Sequence, residues 1–99
     1  MDLGLAGARV LVTGGASNIG RGIVHGFAAE GSRIVISDID GEQARKVQAE
    51  ALALGALEVV VCAGDLTAPG VAEEAVDAAV KQWGGLDVLV NNAGWSVPG

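Results

Sequence analysis

The stretch VLVTGGASNIGRG, Val10 to Gly22, decides the fold. Its first part is a β-branched run, Arg9 to Thr13, that stops at Gly14–Gly15 and reads as a short strand. Its second part puts four glycines and Asn18 into the ten residues from Thr13 to Gly22. Glycine loses more conformational freedom on ordering than any other residue, so a cluster of it serves geometry: close backbone approach or unusual dihedrals. From Ile19 to Glu30, apolar residues recur at helical spacing (Ile19, Ile23, Val24, Phe27, Ala28), and Gly31 is the stop. The reading is strand, glycine turn, helix.

The same unit repeats along the chain. Arg33–Ser37 is a second strand. Asp40 caps a helix over Gly41–Leu54, with Ala44, Val47, Ala51 and Leu54 on one face and Gly55 as its end. Glu58–Cys62 is a third strand. Thr67 and Pro69 open a third helix, whose stripe runs Val71, Ala75, Val76, Ala79, Val80 and Trp83 before Gly84–Gly85. Leu86–Asn91 is a fourth strand. The order βαβαβαβ with short connections predicts an α/β protein with a parallel sheet, and unbroken Val/Ile/Leu strands fit burial on both faces. Right-handed crossovers predict strand order 3-2-1-4 in a doubly wound, Rossmann-like sheet. The first two helices share one face and the third covers the other. The fourth strand is then an uncovered apolar edge, an association hazard. A half-sheet of this size is marginal. Isolated, it is expected to be partly unfolded or self-associated.

Composition narrows the function classes. Of 99 residues 51% are apolar and the mean hydropathy is +0.46, enough for a packed core in one small domain or part of a larger one. Six basic residues against twelve acidic ones give a net charge of -6, which argues against nucleic-acid or anionic-membrane partners. Cys62 is the one cysteine; it reads as a buried core thiol and fits a reducing compartment. No apolar run reaches the roughly 18 residues that span a bilayer. The first ten residues lack the order of a signal peptide. A soluble, cytoplasmic protein is expected. No metal-ligand spacing is present. His25, alone in mid-helix, takes a surface or packing role, and Trp83 anchors a helix end.

In open α/β sheets ligands bind beyond the strand C-termini where the strand order reverses, here between strands 1 and 4. Gly14–Gly20 lies there. A helix start presents free N–H groups and about +0.5 charge, so it attracts phosphate. Gly14 allows a tight exit from the strand. Gly20 carries no side chain to hold a pyrophosphate away from the helix, and Gly22 lets that helix lie close to the sheet. Glycines serving packing alone would look the same from the loop by itself. Asp38 lies 18 positions after Gly20, where an acidic residue accepts from the adenosine ribose hydroxyls and repels a 2′-phosphate. Neither Ser17 nor Ser37 is a base that would neutralise one, so NAD(H) is expected over NADP(H). A solvated turn carboxylate or helix cap is the alternative for Asp38, and Asp40 can take that role instead.

TGGASNIG resembles the TG-x-x-x-G-x-G turn of the short-chain dehydrogenase/reductase family. NNAG, Asn91–Gly94, resembles that family's second motif, at the end of the fourth strand. Asp38-Ile39-Asp40 after strand 2 and Asp65-Leu66 after strand 3 fall where the family places cofactor contacts. The resemblance covers essentially all 99 residues. It implies a cofactor site made of Gly14, Ser17, Asn18, Ile19 and Gly20 in the turn, Asp38 and Ile39 at the adenosine, Asp65 and Leu66 at the adenine, and Asn92, Ala93 and Gly94 along the middle. A turn or cap role is the alternative for Asp65; Asn91 ties the strand end to neighbouring backbone. The family's middle glycine is Asn18 here, the residue that best tolerates left-handed dihedrals after glycine. Trp95 is a candidate border of a substrate pocket.

The resemblance further implies an NAD(H)-dependent oxidoreductase that moves hydride between a small alcohol and its carbonyl, homo-oligomeric when complete. The family's acid/base Tyr, its Lys, and its Ser and Asn partners lie after the fourth strand; these 99 residues contain no Tyr. No catalytic residue carries over. The chain is expected to be the cofactor-binding part of a single larger domain, inactive alone. A non-catalytic NAD(H)-binding module, or a subunit that pairs with another chain, is the alternative.

Overall fold

The computed structural model describes residue 4 and residues 6–92. Seven elements follow in order: β1 (Arg9–Thr13), α1 (Asn18–Ala29), β2 (Arg33–Asp38), α2 (Gly41–Leu54), β3 (Glu58–Ala63), α3 (Val71–Trp83) and β4 (Val88–Asn91). The strands form one parallel sheet in the order β3-β2-β1-β4, the Rossmann-like arrangement expected from the crossover rule. Register runs Leu11 against Val35 and Leu89, and Val35 against Val60.

Side-chain alternation sorts the core into two halves. Val10, Val12, Ile34 and Ile36 point to one face, where Val24 and Ala28 of α1 and Ala44, Val47 and Ala51 of α2 close over them. Leu11 and Val35 point to the other, under Ala75 and Ala79 of α3. One helix cannot cover four strands. Leu89, in register with Leu11 on the outer strand, is therefore left 57% exposed.

Several boundaries differ from the sequence reading. β2 extends to Asp38, so that residue is the last of its strand rather than the first beyond it. β4 begins only at Val88. α3 begins at Val71, after Gly70 in a left-handed conformation at φ 85°; Pro69 and Thr67 stand outside the helix, not in its first turn. Asp65 explains this. Its Oδ1 accepts from Thr67 N at 2.8 Å and Thr67 Oγ1 at 2.7 Å, an Asx-type turn that occupies the chain before a helix can start. Asp40 caps α2 as expected, accepting from Gln43 N at 3.0 Å. The apolar stripes are narrower than their spacing suggests: Ile19, Leu54 and Val80 are exposed.

The glycines also divide differently. Gly14, at φ 67°, does make the tight exit from β1. A Cβ on Gly22 would meet nothing within 4 Å, so Gly22 does not bring α1 to the sheet. Gly15 does: a Cβ there would lie 2.8 Å from Ile36 Cγ2 and 3.4 Å from Val24 Cγ2. Gly20 is constrained by its own chain, since a Cβ would lie 2.0 Å from Gly14 O. Asn18 needs no left-handed dihedral; among the described residues no non-glycine has positive φ, and Asn18 is simply the first helical residue.

Polar ties fasten the layers. Arg21 of α1 pairs with Glu50 of α2 through both its Nε and a terminal nitrogen, and His25 Nε2 lies 2.9 Å from the same carboxylate. His25 thus has an acidic partner, from the neighbouring helix, that sequence proximity did not reveal. Trp83 is packed on the α3 side and donates Nε1–H to Glu58 at 2.7 Å. Cys62 is half-buried rather than fully buried; burial first, then Glu74, pushes its thiol up, which keeps it protonated and unreactive.

At the N-terminal end of the strands, Arg9 Nε and a terminal nitrogen grip both oxygens of Asp87 at 2.9 and 2.8 Å. Arg9 N also donates to Asp87 at 2.8 Å, and Asp87 N donates back to Arg9 O at 2.8 Å. The hydrogen bonds from Arg9 hold the Asp87 carboxyl well below the usual carboxylate range. A lowered folded pKa contributes stability above the unfolded value, roughly 3.9, that is lost as pH falls through the folded one. Urea midpoints measured against pH should therefore show the wild type ahead of Asp87→Asn at neutral pH. That advantage should shrink steadily below about pH 4. A gap independent of pH would contradict the assignment.

The glycine contacts give a second test. Gly20→Ala drives a methyl group into backbone that cannot move aside, and should cost about 3 kcal/mol. Gly22→Ala, in open space within the same helix, should add about 0.5–1 kcal/mol. Denaturant unfolding of the two variants should give opposite signs.

Candidate functional site

The C-terminal ends of all four strands open onto one cleft of about 850 Å³. Its lining includes Gly14 and Ser17 from the turn after β1, Asp38 at the end of β2 and Ile39 after it, Gly64–Thr67 after β3, and Asn91 of β4. Apolar walls come from Leu11, Ala75, Val76 and Leu89. This volume and lining, largely apolar with a few convergent polar groups, suit a small-molecule ligand.

The turn after β1 is built by short-range bonds. Gly14 N donates to Ser37 O at 2.7 Å, locking the turn to β2. Ser17 N donates to Gly14 O at 3.1 Å, and Ser17 Oγ donates to the same oxygen at 2.7 Å. As N-cap of α1, Ser17 Oγ accepts from Gly20 N at 3.1 Å. The N–H groups of Asn18 and Ile19 make no hydrogen bond among the described residues. No acidic residue stands in the first turn. A helix start with two open N–H groups suits an anion. Ile19 is 72% exposed there, outside the core stripe its spacing suggested.

Asn92 secures this turn from the far side. Its N donates to Thr13 Oγ1 at 2.9 Å, and its Nδ2 donates to Ser17 Oγ at 3.2 Å and Gly14 O at 3.4 Å. Asn91 accepts from Thr13 Oγ1 at 3.1 Å. Both asparagines therefore tie β4 to β1 and its turn; the structural role expected of Asn91 alone is shared. Ala93, Gly94 and Trp95 lie outside the described residues.

The acidic side of the cleft carries Asp38 and Asp65. Asp38 is half-buried and accepts from Ala16 N and Asp40 N, each at 2.9 Å. Ile39 beside it is 71% exposed, and Leu66 is half-buried in the cleft wall. Asp65 is exposed; the hydrogen bonds from Thr67, side chain first, lower its pKa and keep it ionised. The turn role is thus observed for Asp65, with both bonds falling on Oδ1. Ser37 is fully buried, and its Oγ has no hydrogen-bond partner among the described residues. Sequence reading did not single out Ala16 or Gly15. Their signal lies in which backbone atoms the turn presents to β2, and no residue-type preference encodes it.

Among the described residues no group of three or more His, Cys, Asp or Glu could hold a metal ion, and no helix is long and apolar enough to cross a membrane.

Comparison with known proteins gives a consistent result. The sequence pattern of the family described as short chain dehydrogenase matches residues 8–99. The chain is 40% identical to 1-deoxy-11-beta-hydroxypentalenate dehydrogenase of Streptomyces exfoliatus, with 89% of this chain and 35% of that protein covered. It is 39% identical to (+)-borneol dehydrogenase 2 of Salvia officinalis, covering 99% of this chain and 34% of that one. The structure superposes on L-sorbose reductase of Gluconobacter frateurii, complexed with NADPH and L-sorbose, with a TM-score of 0.90 and 32% identity over 98% of this chain and 37% of that one. The chain spans about a third of the length of these curated relatives. A parallel sheet in this order, a glycine turn capped by Ser17 and braced by Asn92, and a family pattern matched from residue 8 onward lead to one statement: this chain belongs to the short-chain dehydrogenase family.

Proposed function

We propose that this chain is the cofactor-binding part of an oxidoreductase that uses NAD(H) to interconvert a small alcohol and its carbonyl compound. The observation that carries the reading is the pairing of opposite electrostatic ends across one cleft. The open N–H groups of Asn18 and Ile19, which follow the cleft-lining Ser17, suit a diphosphate, and the Asp38 carboxylate in the cleft wall suits ribose hydroxyls. Ser17 and Gly14 would support the diphosphate through the turn they fix. Ile39, Asp65 and Leu66 would line the adenine end. Asn92 would hold the turn in place, and Ala93 and Gly94 enter through the family motif. The nicotinamide, when bound, supplies hydride chemistry.

The choice of NAD(H) over NADP(H) rests on Asp38. A carboxylate there repels a 2′-phosphate, and Ser37, the neighbouring position, is a fully buried neutral side chain. The L-sorbose reductase is described with NADPH, so the family fold alone does not make this choice. No residue of these 99 is assigned to proton transfer; the reading places that chemistry in sequence following β4. A positioned donor of suitable pKa must balance each hydride moved.

Calorimetric titration of the folded protein should show NADH binding at least about tenfold more tightly than NADPH, equivalent to about 1.4 kcal/mol. Equal or reversed preference would overturn the Asp38 assignment. Failure to bind either cofactor would overturn the whole reading.

A further inference from the structure

The Asp38 carboxylate is already engaged before any ligand is considered. Oδ2 accepts from Ala16 N, in the glycine turn, and Oδ1 accepts from Asp40 N, at the start of α2. The main-chain oxygen of the same residue accepts from Gly64 N at 2.9 Å, after β3. One residue at the end of β2 thus holds three of the loops that frame the cleft. We propose that Asp38 is a positioning residue for the diphosphate-binding turn, through Ala16 N–H, in addition to accepting from the ribose. The inference rests on the cofactor reading above.

The chemistry permits both roles at once. An ionised carboxylate offers about four lone-pair sites, so each oxygen can accept a ribose hydroxyl besides its backbone N–H. The isosteric amide cannot replace it. Asn has one acceptor oxygen and one donor NH₂ group, so Asp38→Asn sets a donor against either Ala16 N–H or Asp40 N–H. At least one tie is lost. Among the described residues, the turn between Gly14 and Ser17 then keeps its own bonds through Ser17, and its ties to other strands are those to Ser37 O and to Asn92. Replacing Asp38 to admit a 2′-phosphate should accordingly weaken both cofactors through the turn, not merely relieve repulsion.

A ligand without ribose hydroxyls separates the two roles. 2′,3′-Dideoxyadenosine 5′-diphosphate has no ribose hydroxyl to donate to Asp38. If the residue acted only on the ribose, Asp38→Ala, which removes both backbone ties, would bind this nucleotide unchanged, or more tightly because a negative charge near the diphosphate is gone. If it positions the turn, the variant should bind it about tenfold more weakly, the loss expected from one hydrogen bond to a charged group. Unchanged or tighter binding overturns the inference. Wild-type protein that binds neither ADP nor NADH would overturn the cofactor reading instead. A measurement on the ligand-free wild type guards against a variant that does not fold. The Ala16 amide should exchange with solvent at least about tenfold more slowly than an open amide. Exchange at the open rate would also overturn the inference.

Discussion

The first turn of α1 lies directly on the backbone of the turn that precedes it. Gly20 approaches Gly14 so closely that one added carbon would sit 2.0 Å from the carbonyl oxygen. Everything at the functional end follows from that approach. It brings Ser17 Oγ to Gly20 N and lets the same hydroxyl donate back to Gly14 O. It leaves the N–H groups of Asn18 and Ile19 without hydrogen bonds among the described residues. It also leaves room for Asn92 Nδ2, which would be 2.8 Å from a Cβ at the same place. The glycine is required by protein against protein, and the anion-binding end of the helix is the consequence.

The cleft then has a polarity that no net charge describes. The chain is acidic overall, yet its helix start offers bare amides and no carboxylate in the first turn. The two carboxylates stand at the ends of β2 and β3, the side of the sheet away from β4. Backbone donors on one side and acceptors on the other would bind a molecule that is anionic in the middle and rich in donors at one end. A dinucleotide has that distribution. Fixed amides also require little reorganisation on binding, because the Ser37, Ser17 and Asn92 bonds already hold the turn.

Much of this was legible in the sequence, for reasons that can be named. Strand order followed from alternating periodicity and crossover handedness, and the three helices fell within a few residues of their spacing. Boundaries were less legible where a side chain competes with the helix for backbone. Asp65 captures Thr67 and delays α3 to Val71, although Pro69 looked like a helix start. Glycine roles were the least legible. Gly15, Gly20 and Gly22 are identical letters, but one packs on Ile36, one on a carbonyl and one on nothing. What a missing side chain avoids is a property of distant residues, and only the assembled fold supplies them. Asp38 shows the same limit: its spacing pointed to a ribose, while its bond to Ala16 depends on how β2 sits beside the turn.

The two ends of the strands carry different tasks. At the N-terminal end, Arg9 and Asp87 exchange four hydrogen bonds and set the register of β4 against β1. At the C-terminal end, the same pair of strands finishes in Thr13 and Asn91–Asn92, whose bonds fix the turn. β4 is only four residues long, and a slip of one residue would exchange the faces of all its side chains. Asn92 would then no longer reach Gly14 and Ser17. The ion pair at one end of the sheet and the neutral amide network at the other thus fit the same strand register. Half-exposed as it is, the Arg9–Asp87 pair adds little through charge alone, and its four hydrogen bonds are satisfied together only in the observed alignment of β4 on β1.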